Sequence, residues 1–120
     1  MLDPPEGNTY EARILVDEAD RPCAYACFGH TPMTTATFDL YWLVTAAVHR
    51  GKGLGARLLR EIEGELAGRK AVTIRVETSS LEGQGGALRF YERCDYRVAG
   101  RIPDFYRPGD DLITLTKRLA

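Results

Sequence analysis

The run from Phe38 to Ala67 constrains this chain more than any other stretch. Phe38-Asp39-Leu40-Tyr41-Trp42-Leu43-Val44-Thr45 is rich in aromatic and β-branched residues and reads as a strand. It enters Arg50-Gly51-Lys52-Gly53-Leu54-Gly55, and behind that Leu54, Leu58, Leu59, Ile62 and Leu66 recur at helical spacing. A strand passing through alternating glycines into an amphipathic helix commits the chain to a crossover connection. Glycine lets the backbone take positive φ and approach a ligand closely. The helix start aims free N–H groups and the positive end of the helix dipole at the same place. The combination implies an anion cradle, with phosphate the natural occupant. A ligand-free glycine turn has the same short signature, so the remainder of the chain has to decide between them.

Spacing narrows the kind of cradle. A dinucleotide fingerprint needs G-x-G-x-x-G, and here the third glycine, Gly55, comes one residue early. A Walker A loop needs Gly-Lys followed by Ser or Thr, whereas Lys52 is followed by Gly53. What remains is R-x-x-G-x-G, from Arg50 to Gly55.

At 120 residues the chain has the size of one domain, and 16 basic against 17 acidic side chains leave a net charge of −1. That balance excludes the basic stripe of a nucleic-acid binder. No apolar run reaches the ~20 residues of a membrane span. Met1-Leu2-Asp3-Pro4-Pro5-Glu6 lacks the basic start and apolar core of a signal peptide, so a cytoplasmic location is expected. Three cysteines, Cys23, Cys27 and Cys94, do not make a disulfide framework and read as buried thiols. His30 and His49 complete no ordered metal motif, and no metal is expected.

Residues 1–9 read as a flexible lead-in to a single domain over 1–120. Tyr10 to Val16 and Pro22 to Gly29 form two strands joined by a hairpin turn at Asp17–Arg21. The glycine loop covers Ala46 to Gly53, and its helix ends at Gly68. Ala71 to Thr78 is a strand, Ser79 to Gly86 a loop, and Gly85 to Cys94 a second helix. Tyr96 to Gly100 reads as a short strand, Ile102 to Asp110 as a connection holding two prolines, and Leu112 to Lys117 as a final strand. The order is βββαβαββ, an α/β fold with a mixed, mostly antiparallel sheet and helices as crossovers.

The second crossover decides between the readings. Ala87-Leu88-Arg89-Phe90-Tyr91-Glu92-Arg93-Cys94-Asp95-Tyr96 follows the glycine loop in the order seen in one superfamily. With R-x-x-G-x-G, it resembles the GNAT superfamily of acetyl-CoA-dependent N-acetyltransferases. Glu77-Thr78-Ser79-Ser80 and Ile102 to Asp111 resemble segments of a bacterial branch of that superfamily acting on small molecules. The resemblance covers about Tyr10 to Leu119 and lacks the family's usual first strand and N-terminal helices. Asp95 stands where the family often has glycine at positive φ, which aspartate tolerates better than most residues.

The resemblance implies a function and its residues. Acetyl-CoA would be bound by Leu43, Val44, Thr45, Arg50, Gly51, Lys52, Gly53, Leu54, Gly55 and Ala56. Strands corresponding to Phe38–Thr45 and Ala71–Thr78 splay apart in the family, freeing the Leu43 N–H for the thioester oxygen. Tyr91 would be the general acid for the leaving thiolate. Residue parity puts Asp39, Tyr41, Leu43 and Thr45 on one face, making Asp39 the first candidate base and Glu77 the second. The expected acceptor is the amine of a small molecule or an exposed amino group. A non-catalytic acyl-CoA sensor, or a domain completed by a second copy or a partner subunit that walls the acceptor site, is the alternative.

Overall fold

The fold is seen in a computed structural model, which describes residues 10–81 and 86–120. The expected lead-in over residues 1–9 and the centre of the loop before the second helix lie outside these. The elements are β1 (Tyr10–Val16), β2 (Pro22–His30), β3 (Thr37–Thr45), a 3-10 turn (Ala47–His49), α1 (Leu54–Gly68), β4 (Thr73–Ser79), α2 (Gly86–Arg93), β5 (Arg97–Arg107) and β6 (Asp110–Arg118). The six strands form one open sheet in the order β1-β2-β3-β4-β6-β5.

Among the described residues only β3 and β4 are adjacent and parallel; every other neighbouring pair is antiparallel. A parallel pair needs a crossover, and α1 supplies it. β4 and β5 both run antiparallel to β6, so they are parallel to each other and α2 connects them. Both crossovers step in the same direction along the sheet, and right-handed connections therefore place both helices on one face.

That face holds the core. Leu58, Leu59, Ile62 and Leu66 of α1 pack with Ala24, Ala26, Phe28, Leu40, Ile74 and Val76, and with Tyr91, Tyr96, Ile113 and Leu115. Burying a side chain such as Leu59 contributes roughly 1.5–3 kcal/mol. A polar clamp closes the core rim, where Glu63 of α1 accepts from the Tyr96 hydroxyl at 2.8 Å and from Lys117 Nζ at 3.0 Å. Burial, then the Glu63 charge, push the Tyr96 phenol far above its ordinary range. The opposite sheet face carries no helix among the described residues, and Ile14, Tyr25 and Val44 form an exposed cross-strand row there.

Two boundaries differ from the sequence expectation. The segment Ile102–Asp110 is no connection: β5 continues through it to Arg107, and the hairpin turn is only Pro108-Gly109. Pro103 is tolerated because β5 is an edge strand and needs no second ladder. The register breaks between Ile102 and Arg107, where the Asp111 carboxylate accepts from the Asp104 N–H at 2.9 Å. α1 ends at Gly68 as expected, and the left-handed residue that turns the chain after it is Lys70, at φ 69°. Pairing of β4 begins at Thr73, after Val72 N–H has bonded the Ala36 carbonyl at 2.8 Å. Asp95 takes the left-handed conformation, at φ 71°, as the family comparison implied.

Candidate active site

The glycine loop begins as a 3-10 turn and ends at Gly53, the N-cap of α1. Gly51 and Gly53 take φ of 81° and 72°, the left-handed region that glycine enters without strain. No side chain caps α1, so the amides of its first turn point into the loop with only Arg57 N–H bonded back to Gly53. Arg50 and Lys52 are exposed beside them. Gly55 has a different role. It is buried inside α1, and a Cβ there would stand 3.2 Å from Thr45 Oγ1 and 3.6 Å from Phe90 Cζ. Its bare Cα lets α1 close on β3 and α2. Leu54 is half-buried beside it, and Ala56 lines a cleft of about 240 Å³ with Arg60, Phe90 and Cys94.

Next to the loop the sheet opens. β3 and β4 are paired from Thr37–Thr73 to Leu40–Val76, while β3 runs on to Thr45 and β4 to Ser79. Ala46 N–H donates to the Cys23 carbonyl at 2.8 Å, which sets the alternation of amides along β3. Val44 therefore turns its N–H toward β2, and Leu43 and Thr45 turn theirs into the opening. Of the three strand residues expected at the ligand, Val44 contributes no free amide.

Asp39 does not share a face with Leu43. The β2–β3 register shifts between Cys27 and Phe28, leaving Tyr41 as an extra residue. Leu40 and Leu43 consequently both pack toward the helices, and strict alternation from Asp39 to Thr45 fails. Asp39 lies on the other face with its Cα partner Arg75, whose Nε and Nη2 donate to its two oxygens at 2.7 and 3.2 Å. That fork raises the Arg75 pKa and ties one lone pair of each Asp39 oxygen to a cation, which makes the carboxylate a weaker base.

Glu77 is placed differently. It is exposed and is the first β4 residue beyond the paired segment. It lines a small cavity of about 140 Å³ with Asp39, Tyr41 and Arg75. It also lines a larger one of about 480 Å³ with Thr78, Ser79, Leu81, Tyr106, Arg107 and Asp110. The floor of the larger cavity is rigid: Asp110 is fully buried, accepts from the Ser79 hydroxyl, and pairs with Arg107 Nε at 3.1 Å. Sequence reading missed Arg75, Tyr106 and Asp110. The signal for Arg75 was available, since it alternates with Ile74 and Val76 and must face away from the helices.

Tyr91 sits on the buried face of α2 with 6% exposure. Its ring meets Phe90 and Tyr96 edge-on, with centroids 5.2 and 5.6 Å away. Burial, assisted by Cys94, pushes the phenol up to about 12, so it is protonated at every physiological pH.

Comparison with known proteins agrees with this geometry. Residues 10–98 match the acetyltransferase (GNAT) domain family. The chain is 36% identical over 116 residues to blasticidin-S acetyltransferase of Streptomyces morookaense, covering 91% of this chain and 80% of that protein. A solved structure from Desulfovibrio desulfuricans, described as a GNAT-family acetyltransferase, superposes with a TM-score of 0.87 at 33% identity, covering 92% of this chain and 70% of that one. An aminoglycoside 6'-N-acetyltransferase complexed with coenzyme A shares the fold, with a TM-score of 0.77 at 21% identity, over 92% of this chain and 73% of that one. The chain belongs to the GNAT family of acetyltransferases.

Proposed function

We propose that the protein transfers an acetyl group from acetyl-CoA to an amine of a small, positively charged molecule seated in the cavity at Glu77. The observation that carries this reading is the parting of β3 and β4 between an uncapped helix N-terminus and that cavity. Phosphates of the donor would rest on the first-turn amides of α1, with charge-assisted contacts from Arg50 and Lys52. The Leu43 N–H would donate to the thioester oxygen as it gains negative charge. Glu77 would accept the amine proton, directly or through water. The new N–C bond then forms, the C–S bond breaks, and the thiolate leaves facing the Tyr91 hydroxyl.

Need for a base scales with the acceptor. Deprotonating a lysine-like amine of pKa near 10.4 at pH 7 costs roughly 4–5 kcal/mol, against about 1 kcal/mol for an α-amine near 8. The exposed Glu77 favours a cationic guest, since the buried Asp110 is already balanced by Arg107. The relative described above acts, by its name, on blasticidin S. The test is release of free thiol from acetyl-CoA across a panel of blasticidin S, aminoglycosides and N-terminal peptides. Turnover on cationic small molecules, and not on peptides, is expected. Acetyl-CoA binding without turnover on any amine would mark a sensor, and peptide-only turnover would overturn the acceptor class.

A further inference from the structure

We propose that Asp17, Cys23 and His49 form a three-ligand site for a divalent cation of the zinc class, outside the acetyl-transfer machinery. The three come from separate segments: Asp17 opens the β1–β2 turn, Cys23 is the second residue of β2, and His49 ends the 3-10 turn. One donor atom from each lies within 4.8 Å of the others. His49 Nε2 and Asp17 Oδ2 are 4.0 Å apart. Zinc bonds of about 2.0–2.3 Å at tetrahedral angles set donors roughly 3.4–3.6 Å apart, so closure takes about 1.4 Å at most.

The frame behind the donors is already built. Asp17 N–H bonds the Arg21 carbonyl at 2.9 Å, and Asp17 Oδ1 accepts from the amides of Ala19 and Arg21 at 2.8 and 3.0 Å. Those contacts fix the carboxylate and leave Oδ2 facing His49. Ala46 N–H holds the Cys23 carbonyl at 2.8 Å, and His49 N–H holds the Ala46 carbonyl at 2.9 Å, so the third segment is tied to the second. Cys23 is 4% exposed, and the Asp17 and His49 side chains are each 18% exposed, which leaves one open direction for a water ligand. Competition comes from Arg21, whose Nε lies 3.0 Å from Asp17 Oδ2; its side chain is 76% exposed and leaves into solvent without losing packing. Cys23 meanwhile donates to the Arg21 carbonyl, at 3.5 Å.

A thiolate, an imidazole and a carboxylate are borderline donors that select zinc-like ions over magnesium or calcium. Three protein ligands with a fourth, open position match a zinc site that keeps a water. The ion would clip the β1–β2 turn to the segment that runs directly into Arg50 and Gly51.

Cobalt(II) absorption on the chelator-stripped full chain tests this. The expected result is a thiolate-to-cobalt charge-transfer band with tetrahedral d–d bands, saturating at one equivalent and displaced by zinc. Cys23→Ser should abolish the charge-transfer band, while Cys27→Ser and Cys94→Ser should keep it. His49→Ala and Asp17→Asn should weaken cobalt affinity by about 100-fold or more, beyond the loss from an outer-shell partner. Asparagine keeps the turn's side-chain acceptor, so that variant separates ligation from folding. Zinc should raise the melting temperature of the parent chain and not of His49→Ala. No band in the parent, a band surviving Cys23→Ser, or equal zinc shifts in parent and His49→Ala would each overturn the site.

Discussion

Tyr91→Phe separates chemistry from packing in one substitution. The ring keeps its edge contacts with Phe90 and Tyr96. With the phenol at about 12 and a free thiol near 8.5, full proton transfer to the departing thiolate runs uphill by ~3.5 units, or ~5 kcal/mol. In the proposed reaction the hydroxyl would therefore help by donating a hydrogen bond to the growing negative charge. Such a bond is worth about 1.5–3 kcal/mol, or roughly 10- to 150-fold in the rate of the chemical step. Single-turnover acetylation by rapid quench is the appropriate assay, because product release masks chemistry in steady state. Acetyl-CoA affinity should be unchanged. The same pKa has a stability consequence. Burial raises the folded value to about 12 from 10.0, so stability favouring the neutral phenol is fully present below pH 10 and is lost as pH rises to about 12. That loss approaches ~2.7 kcal/mol, and Tyr91→Phe should shift alkaline unfolding upward, leaving the part due to Tyr96. A single-turnover rate equal to the parent's, with the alkaline shift intact, would leave Tyr91 as a packing residue only.

Further outcomes follow from the same geometry. Glu77→Gln should lower kcat at neutral pH and recover partly as pH rises and the amine deprotonates unaided; Asp39→Asn should not show that recovery, and the reverse pattern would return the base to Asp39. Gly55→Val should destabilise the fold by about 1–3 kcal/mol in denaturant titration, through its contacts with Thr45 and Phe90, before any effect on ligand is considered. Arg50→Ala should weaken acetyl-CoA binding by about 1–2 kcal/mol in calorimetry. Acetyl-CoA should raise the melting temperature well beyond NADH or ATP, and a larger NADH shift would contradict the cradle's assignment.

The order of elements along the chain, both crossovers and the glycine loop were legible because each leaves a periodic or glycine signal. The α1 stripe of Leu58, Leu59, Ile62 and Leu66 is buried as its spacing implies. The bulge at Tyr41 left no such mark. It has no glycine or proline, and it depends on how β2 pairs across the sheet. Parity reasoning for Asp39 failed there, since one extra residue inverts every face beyond it. Pro103 misled in the other direction: proline breaks an interior strand, and its edge position was invisible without the sheet order. The meeting of Asp17, Cys23 and His49 is set by tertiary hydrogen bonds, so their irregular spacing carried no metal signature.

Pro103 also governs how copies of this sheet can grow. An open sheet offers two borders, here β1 and β5. At the β5 border Pro103 supplies no N–H, Asp104 stands at φ 56°, and the ladder is broken between Ile102 and Arg107. A visiting strand would find too few aligned donors there to zip along. Lateral sheet extension at the β5 border is thereby blocked along Ile102–Arg107.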